Sequence, residues 1–260
     1  MVQEKDIFSR NELLVGAEAM DEISRANVIL FGVGGVGSWC AESLIRSGIK
    51  SLTLVDSDYI QTSNINRQLQ ATTETVGLSK VDVLKTRLLA INPHAAITAI
   101  QATYTAASND RFKLDSYDYI LDAIDSVQHK TSLISNATRT KATLFSSMGA
   151  ALKIDTSHIR TAEFWKVHGC PLATAVRRKF KTTTMPAKKF LCVFSDEVLD
   201  DNDTLSASYS IPSTQNEQKT RINGTMAHVT AIFGFTLAGL LIQDIVKKTT
   251  SYASSTYTSK

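Results

Sequence analysis

The sequence predicts an α/β protein with a doubly wound, mostly parallel sheet and a less regular C-terminal half. Three observations carry this. A short apolar strand, 28–31, runs directly into the stretch Gly32-Val-Gly-Gly-Val-Gly-Ser38. A second strand, 52–55, ends at the acid Asp56, nineteen positions after Gly37. Beyond it, short apolar runs alternate with helical periodicities, the pattern of βαβ units. Gly32, Gly34 and Gly37 supply G-x-G-x-x-G spacing. Missing Cβ atoms there let the chain turn tightly and let a nucleotide approach the backbone. The following helix N-terminus offers N–H donors to phosphate, and the acid takes ribose hydroxyls. A lone glycine fingerprint is weak, but in this strand–turn–helix–strand context it makes the fold Rossmann-like and predicts nucleotide binding.

The elements follow in order. Residues 11–23 carry Leu13, Leu14, Ala17, Met20 and Ile23 at helical spacing, with Arg10 at the start. The glycine strand is followed by a helix over 38–46. After Asp56, residues 57–70 form a polar loop containing Asn64-Ile-Asn-Arg-Gln68. Residues 77–91 read as a helix with Val81, Leu84, Leu88 and Ile91 on one face, stopped by Pro93. Strands are expected at 96–101, 119–123 and 142–146, with a helix over 126–140. The second half changes character: a strand at 158–164, a short basic helix over 169–180 and a strand at 191–194. Residues 200–218 are rich in Ser, Thr, Asp and Asn without apolar period and read as a loop, and 251–260 as a frayed, disordered tail.

Composition narrows the class. The chain has 260 residues, 43% hydrophobic and 20% charged, with net charge +3. That is an ordinary globular balance, whose mild basic excess permits a polyanionic partner. Cys40, Cys170 and Cys192 lie far apart with no C-x-x-C pair, which argues against a structural zinc and a disulfide framework. The first ten residues are polar and charged, without the apolar core of a signal peptide. A cytoplasmic protein is expected. Residues 224–243 hold no charged side chain, and a span of that length can cross a bilayer. It also contains His228, Thr225, Thr230, Thr236 and three glycines, so a buried helix at the core or at a subunit interface is expected, with no stable membrane insertion.

Three features pull the nucleotide site away from hydride transfer. Asp58, Asn64, Asn66, Arg67 and Gln68 crowd just beyond the ribose acid Asp56. Lys80 opens the next helix, and Asp125 follows a later strand, on the sheet edge where α/β enzymes bind ligands. Arginine, lysine and an acid converging there suit a triphosphate with a divalent metal: the cations neutralise phosphate charge and a carboxylate holds Mg²⁺.

Taken together, Gly32-Val-Gly-Gly-Val-Gly-Ser38, Asp56-x-Asp58, Ser63-Asn-Ile-Asn-Arg-Gln68, Val76-Gly-Leu-Ser-Lys80 and Asp122-Ala-Ile-Asp125 resemble the adenylating domain of ubiquitin-activating-type (ThiF/MoeB-like) enzymes. Phe8-Ser-Arg-Asn-Glu-Leu-Leu14, Ser146-Ser-Met-Gly-Ala150 and Cys192-Val-Phe-Ser-Asp-Glu197 bring the likeness to the tRNA threonylcarbamoyladenosine dehydratases, from about Phe8 to Val246. The resemblance implies one adenylating domain over 1–250, with a nucleotide-binding part over about 24–150 and a substrate and dimerisation part over 151–250. It implies ATP and Mg²⁺ as cofactors and tRNA as substrate. Gly35 would lie against the nucleotide, Asp56 on the ribose, and Asn64, Arg67 and Lys80 on the phosphates. Gln68 would support that loop and Asp125 take the Mg²⁺. Arg10 would reach the terminal phosphates of the other subunit in a homodimer. A sulfur-transfer partner of the cysteine desulfurase system is compatible with the family. The paired C-x-x-C zinc site of sulfur-carrier activators is absent from the sequence, which favours the tRNA-modifying branch.

Blander readings stand beside these. Asp58 serves equally as a turn residue, Asp122 competes with Asp125 for the metal, and Arg10 is also readable as a surface charge. His129 stays unassigned. Cys192 is either an acyl acceptor, as thiolates are in ubiquitin-type activators, or a small buried hydrophobe. Arg177-Arg-Lys-Phe-Lys181 with Lys188 and Lys189 is either a tRNA-phosphate surface or a solvated helix face.

Overall fold

The computed structural model describes residues 4–198 and 224–257. Its centre is a seven-stranded sheet in the order β3-β2-β1-β4-β5-β7-β6. The strands are β1 (Asn27–Phe31), β2 (Ser51–Val55), β3 (Ala96–Ile100), β4 (Tyr119–Asp122), β5 (Thr143–Ser147), β6 (Ile159–Glu163) and β7 (Leu191–Ser195). All pairings are parallel except β6 with β7. The parallel strands β1, β2, β4 and β5 are buried almost end to end, as expected where helices cover both faces. The antiparallel edge strand β6, Ile-Arg-Thr-Ala-Glu, is more polar and only partly buried.

Alternation along β1 splits the core. Val28 and Leu30 point into one apolar layer, built with α4 (Gly35–Arg46), α5 (Lys80–Ile91) and α8 (Ala227–Tyr257). Ile29 and Phe31 point into the other, with α6 (Val127–Ala137) and α7 (Pro171–Phe180). The uncharged segment is the core of α8. Val229, Phe233, Leu237, Ala238 and Leu241 are fully buried, while Ile232 and Phe235 on the far side stay exposed. Its stretch Ala227–Thr250 has mean hydropathy 1.8, long and apolar enough to span a bilayer, and half of that window is buried within the protein. Gly234 explains how close the packing is: a Cβ there would lie 2.5 Å from the Val36 carbonyl oxygen and 2.8 Å from the Cys40 nitrogen. The α8 and α4 backbones therefore touch directly behind the glycine loop.

Three expectations change. The helix over 11–23 is two helices, α2 (Ser9–Val15) and α3 (Ala17–Arg25), after a short α1 (Glu4–Ile7). Gly16, at φ 84° and ψ 160°, breaks the ladder between them, a conformation that L side chains rarely adopt. In consequence Leu13 and Leu14 are 87% and 85% exposed instead of sharing the face of Ala19 and Ile23. The helix expected from residue 77 begins at Lys80, because Gly77 (φ 87°) sits in a turn whose N–H donates to Ile60 and Ser79 forms a bridge with Tyr59. The tail expected to fray from residue 251 is helical through Tyr257; once a helix is nucleated, each added residue gains a hydrogen bond. The loop reading of 200–218 lies outside the described residues.

Candidate active site

The C-terminal edge of the parallel strands opens into a cleft of about 780 Å³, the place where open α/β sheets bind ligands. A second cleft of similar volume, about 800 Å³, lies near the opposite strand ends beside Asp118, Tyr119 and Thr143, away from the glycine loop. The first one holds the predicted chemistry: Gly32, Gly34, Gly35, Asp56, Asp58, Asn64, Arg67, Gln68, Lys80 and Asp125 all line it.

The glycine turn is built by close approach. Gly32 has φ 84°, and a Cβ on it would stand 2.7 Å from the Ala123 carbonyl oxygen; a Cβ on Gly37 would stand 1.8 Å from that of Gly32. Helix α4 begins at Gly35, so its first-turn N–H groups, without intrahelical partners, lie at the cleft. Asp56 follows β2 and is tied to this turn. Its Oδ2 accepts from the Val33 N–H at 2.8 Å and its Oδ1 from the Asp58 N–H at 2.9 Å. Burial raises its pKa above the ordinary aspartate value, with Lys80 and the backbone donors opposing.

Lys80 is buried at the start of α5 and pairs with Asp58 Oδ2 at 2.8 Å. A cation at a helix N-terminus opposes the dipole, so this lysine stands where a negative partner is required. Asp58 provides one, and its backbone oxygen also accepts the Lys80 N–H at 3.1 Å. Asp58 thus acts both as the turn residue and as the lysine's holder. Asn64 is buried, with Oδ1 accepting from Gln61 N–H. Arg67 donates to the Ser63 carbonyl and to Asn66 Oδ1, and its own carbonyl accepts from Trp39 Nε1. Gln68 is buried beside them, and its Oε1 has no hydrogen-bond partner among the described residues. An unmatched buried acceptor is costly, which suits a group that meets a ligand.

The two aspartates after β4 separate cleanly. Asp122 is fully buried: it pairs with Lys130 at 2.8 Å, accepts from Ser146 Oγ at 2.6 Å and from Ile124 N–H at 3.0 Å. Nothing is left of it for a metal. Asp125 is exposed to the cleft and makes no hydrogen bond or ion pair among the described residues. No cluster of three or more His, Cys, Asp or Glu side chains suited to a metal occurs among the described residues. The fit for Mg²⁺ is therefore one carboxylate plus ligand oxygens and water, a usual arrangement for this ion with phosphates.

Three predicted residues do not line the cleft, the first being Gly37, which is buried against the Gly32 carbonyl. Arg10 is exposed on α2 and does not line it. Cys192 is fully buried in β7, opposite Ser146 and Ala162, with burial pushing its thiol well above the usual range. In the basic stretch, Arg177 turns inward, donating to the Phe164 and Val167 carbonyls, and Lys188 caps the Thr140 and Ala142 carbonyls. Arg178, Lys179, Lys181 and Lys189 remain exposed. The structure adds lining residues that the sequence did not single out: Tyr104, Leu172 and Thr230, with His129 now at the rim. Thr230 lies in the uncharged segment, where its hydroxyl carried no pattern.

A strand-edge cleft lined by this glycine turn, Arg67, Lys80 and the Asp125 carboxylate has the form of a nucleotide-dependent adenylating site, and the ThiF family profile matches residues 8–259. The chain belongs to the ThiF family. It is 32% identical over 252 residues to the tRNA threonylcarbamoyladenosine dehydratase of Escherichia coli (strain K12), covering 93% of this chain and 94% of that protein. The enzyme of the same name from Bacillus subtilis (strain 168) is 40% identical over 190 residues, covering 73% and 74%. The crystal structure of the E. coli tRNA N6-threonylcarbamoyladenosine dehydratase in complex with ATP matches with a TM-score of 0.80 at 30% identity, covering 98% of this chain and 99% of that one.

Proposed function

We propose that this protein catalyses the ATP-dependent dehydration of N6-threonylcarbamoyladenosine in tRNA to its cyclic form. The convergence of the glycine turn, Asp56, Arg67, Lys80 and Asp125 on one cleft carries the reading, and near full-length similarity to dehydratases of that name supports it. Asp56 and the glycine turn hold the nucleoside end of ATP, and the α4 N-terminus, Asn64, Arg67 and Lys80 receive its phosphates. The threonyl carboxylate attacks the α-phosphorus in line, and pyrophosphate leaves. A neighbouring atom of the carbamoyl group then attacks the acyl carbon, AMP departs and the ring closes. The substrate loses the elements of water, its carboxylate oxygen leaving in AMP, so ATP is converted to AMP and pyrophosphate and no free water is released. Arg67 and Lys80 stabilise charge moving onto the phosphates. Asp125 would hold Mg²⁺, which supplies Lewis-acid stabilisation of the phosphate oxygens when bound. Ring closure is intramolecular and gains from proximity, so no protein nucleophile is needed and Cys192 is spared that role.

In the same reading the active form is a cytoplasmic homodimer in which Arg10 reaches the partner's nucleotide, and the exposed Arg178, Lys179 and Lys181 meet tRNA phosphates. A cysteine desulfurase system is the candidate sulfur-transfer partner. The deciding experiment incubates threonylcarbamoylated tRNA with the protein, ATP and Mg²⁺. Conversion to the cyclic nucleoside with matching AMP release is expected. An unchanged nucleoside, with ATP–pyrophosphate exchange stimulated by a carrier protein, would assign the chain to the carrier activators instead.

A further inference from the structure

The polar groups beneath β4 close on one residue, Ile124. Asp122 and Lys130 form an ion pair at 2.8 Å with both side chains wholly buried. Burying two charges costs desolvation that their attraction barely offsets, so such a pair is a poor source of stability. What this one does is hold backbone. Asp122 Oδ1 accepts the Ile124 N–H at 3.0 Å, and Lys130 Nζ donates to the Ile124 carbonyl at 2.9 Å. Ser146 Oγ fixes Asp122 Oδ2 from the neighbouring strand at 2.6 Å. Ile124 is thus gripped on both its donor and its acceptor.

The gripped residue lies between two parts of the site. Before it, the Ala123 N–H donates to the Phe31 carbonyl at 2.8 Å, and the Ala123 carbonyl stands against Gly32, where only a glycine fits. After it comes Asp125, which has no hydrogen bond of its own among the described residues. Ser126, at the start of α6, makes no side-chain cap. The place of the Asp125 carboxylate is therefore set by backbone, and the backbone is set by the buried pair.

We propose that Asp122 and Lys130 are positioning residues for the nucleotide site, fixing Asp125 for its metal and the wall of the glycine turn through Ile124 and Ala123. This rests on the reading of Asp125 as the Mg²⁺ ligand. Neither residue touches substrate. Carboxylate–backbone supports of this kind tune a metal site from behind its ligand.

The test reads binding rather than turnover. A non-hydrolysable ATP analogue is titrated into the full chain by calorimetry with and without Mg²⁺, and the factor by which Mg²⁺ tightens binding is recorded. The variant D122N/K130M removes both charges at similar volume, leaving no lone buried charge. Its tightening factor should fall about tenfold or more, the scale of outer-shell losses, at a temperature where unfolding scans show it folded. Ser146→Ala keeps both charges and should shift the factor in the same direction by less; if D122N/K130M does not fold, this variant decides. A wild-type factor in the folded variants, with Asp125→Asn reducing it, overturns the positioning role and leaves the pair purely structural. A wild-type factor in Asp125→Asn itself overturns the metal assignment, and the positioning proposal with it.

Discussion

At the scale of residues, the cleft sets its own pH dependence. Asp56 is pushed above the ordinary aspartate range chiefly by burial, and in the proposed ribose contact its ionised form is the stronger acceptor. Nucleotide affinity should fall on acidification through this raised value, above the usual aspartate pKa of about 3.9. Titrating ATP binding from neutral pH downwards checks this: the limb should be missing from Asp56→Asn, which leaves protonation of ATP itself as a common background. The sign for apo stability is opposite, since the unfolded chain releases the proton first as pH rises and folding loses stability across that window. Cys192 carries a different expectation. A fully buried thiol raised well above its usual value is not a thiolate at neutral pH. Cys192→Ala should retain wild-type kcat for cyclisation and AMP release, with a stability loss of about 1 kcal/mol. Loss of turnover with unchanged ATP binding would restore the acyl-acceptor reading.

Single elements show what patterns can and cannot reveal. The Gly234 contact makes α8 a tight partner of α4. Gly234→Ala would press on the Val36 and Cys40 backbone and on Trp39 Cβ, and should cost about 1–3 kcal/mol, the range for overpacking, read as a lowered Tm together with weaker ATP binding. Arg178 on α7 and Lys181 just after it face outward, whereas Arg177 is committed to carbonyls. Charge reversal at Arg178 and Lys181 should weaken tRNA binding and flatten its salt slope; unchanged binding at low salt would remove α7 from the tRNA surface. Much of this was legible in the sequence, because apolar runs and glycine signals are local: β1, β2, β4 and β5 fall where the pattern places them, and Gly32, Gly34, Gly35, Asp56, Asp58, Asn64, Arg67, Gln68 and Lys80 line one cleft. Gly16 was not read as a break, since a helical apolar period continues across it and only its φ reveals the stop. Lys130 was invisible for another reason. A lone lysine on a helix looks solvated until the topology sets it against Asp122. Arg177 and Arg178 are neighbours with one charge type, and only packing tells the inward one from the outward one.

For the whole molecule, the proposed assembly explains two loose ends together. Arg10 and the highly exposed Leu13 and Leu14 share one short helix remote from the chain's own cleft. Leu14→Asp should shift the protein to monomer in sedimentation and lower its activity. Mixing inactive Arg10→Ala with inactive Asp125→Asn should restore part of the activity, because a mixed dimer has one intact composite site; no recovery from exchanged subunits would place Arg10 outside the site. The contact between α8 and the glycine loop also reaches back to how the protein is made. Thr230 and Arg67 meet across 163 residues of sequence, and Gly35 rests against Thr230. On the ribosome, the glycine turn and Arg67 are synthesised early but receive this backing only when α8 emerges. A chain clipped before that helix keeps Gly32, Asp56, Arg67, Lys80 and Asp125 but lacks the Thr230 side of the pocket, and should bind ATP more weakly than the full chain.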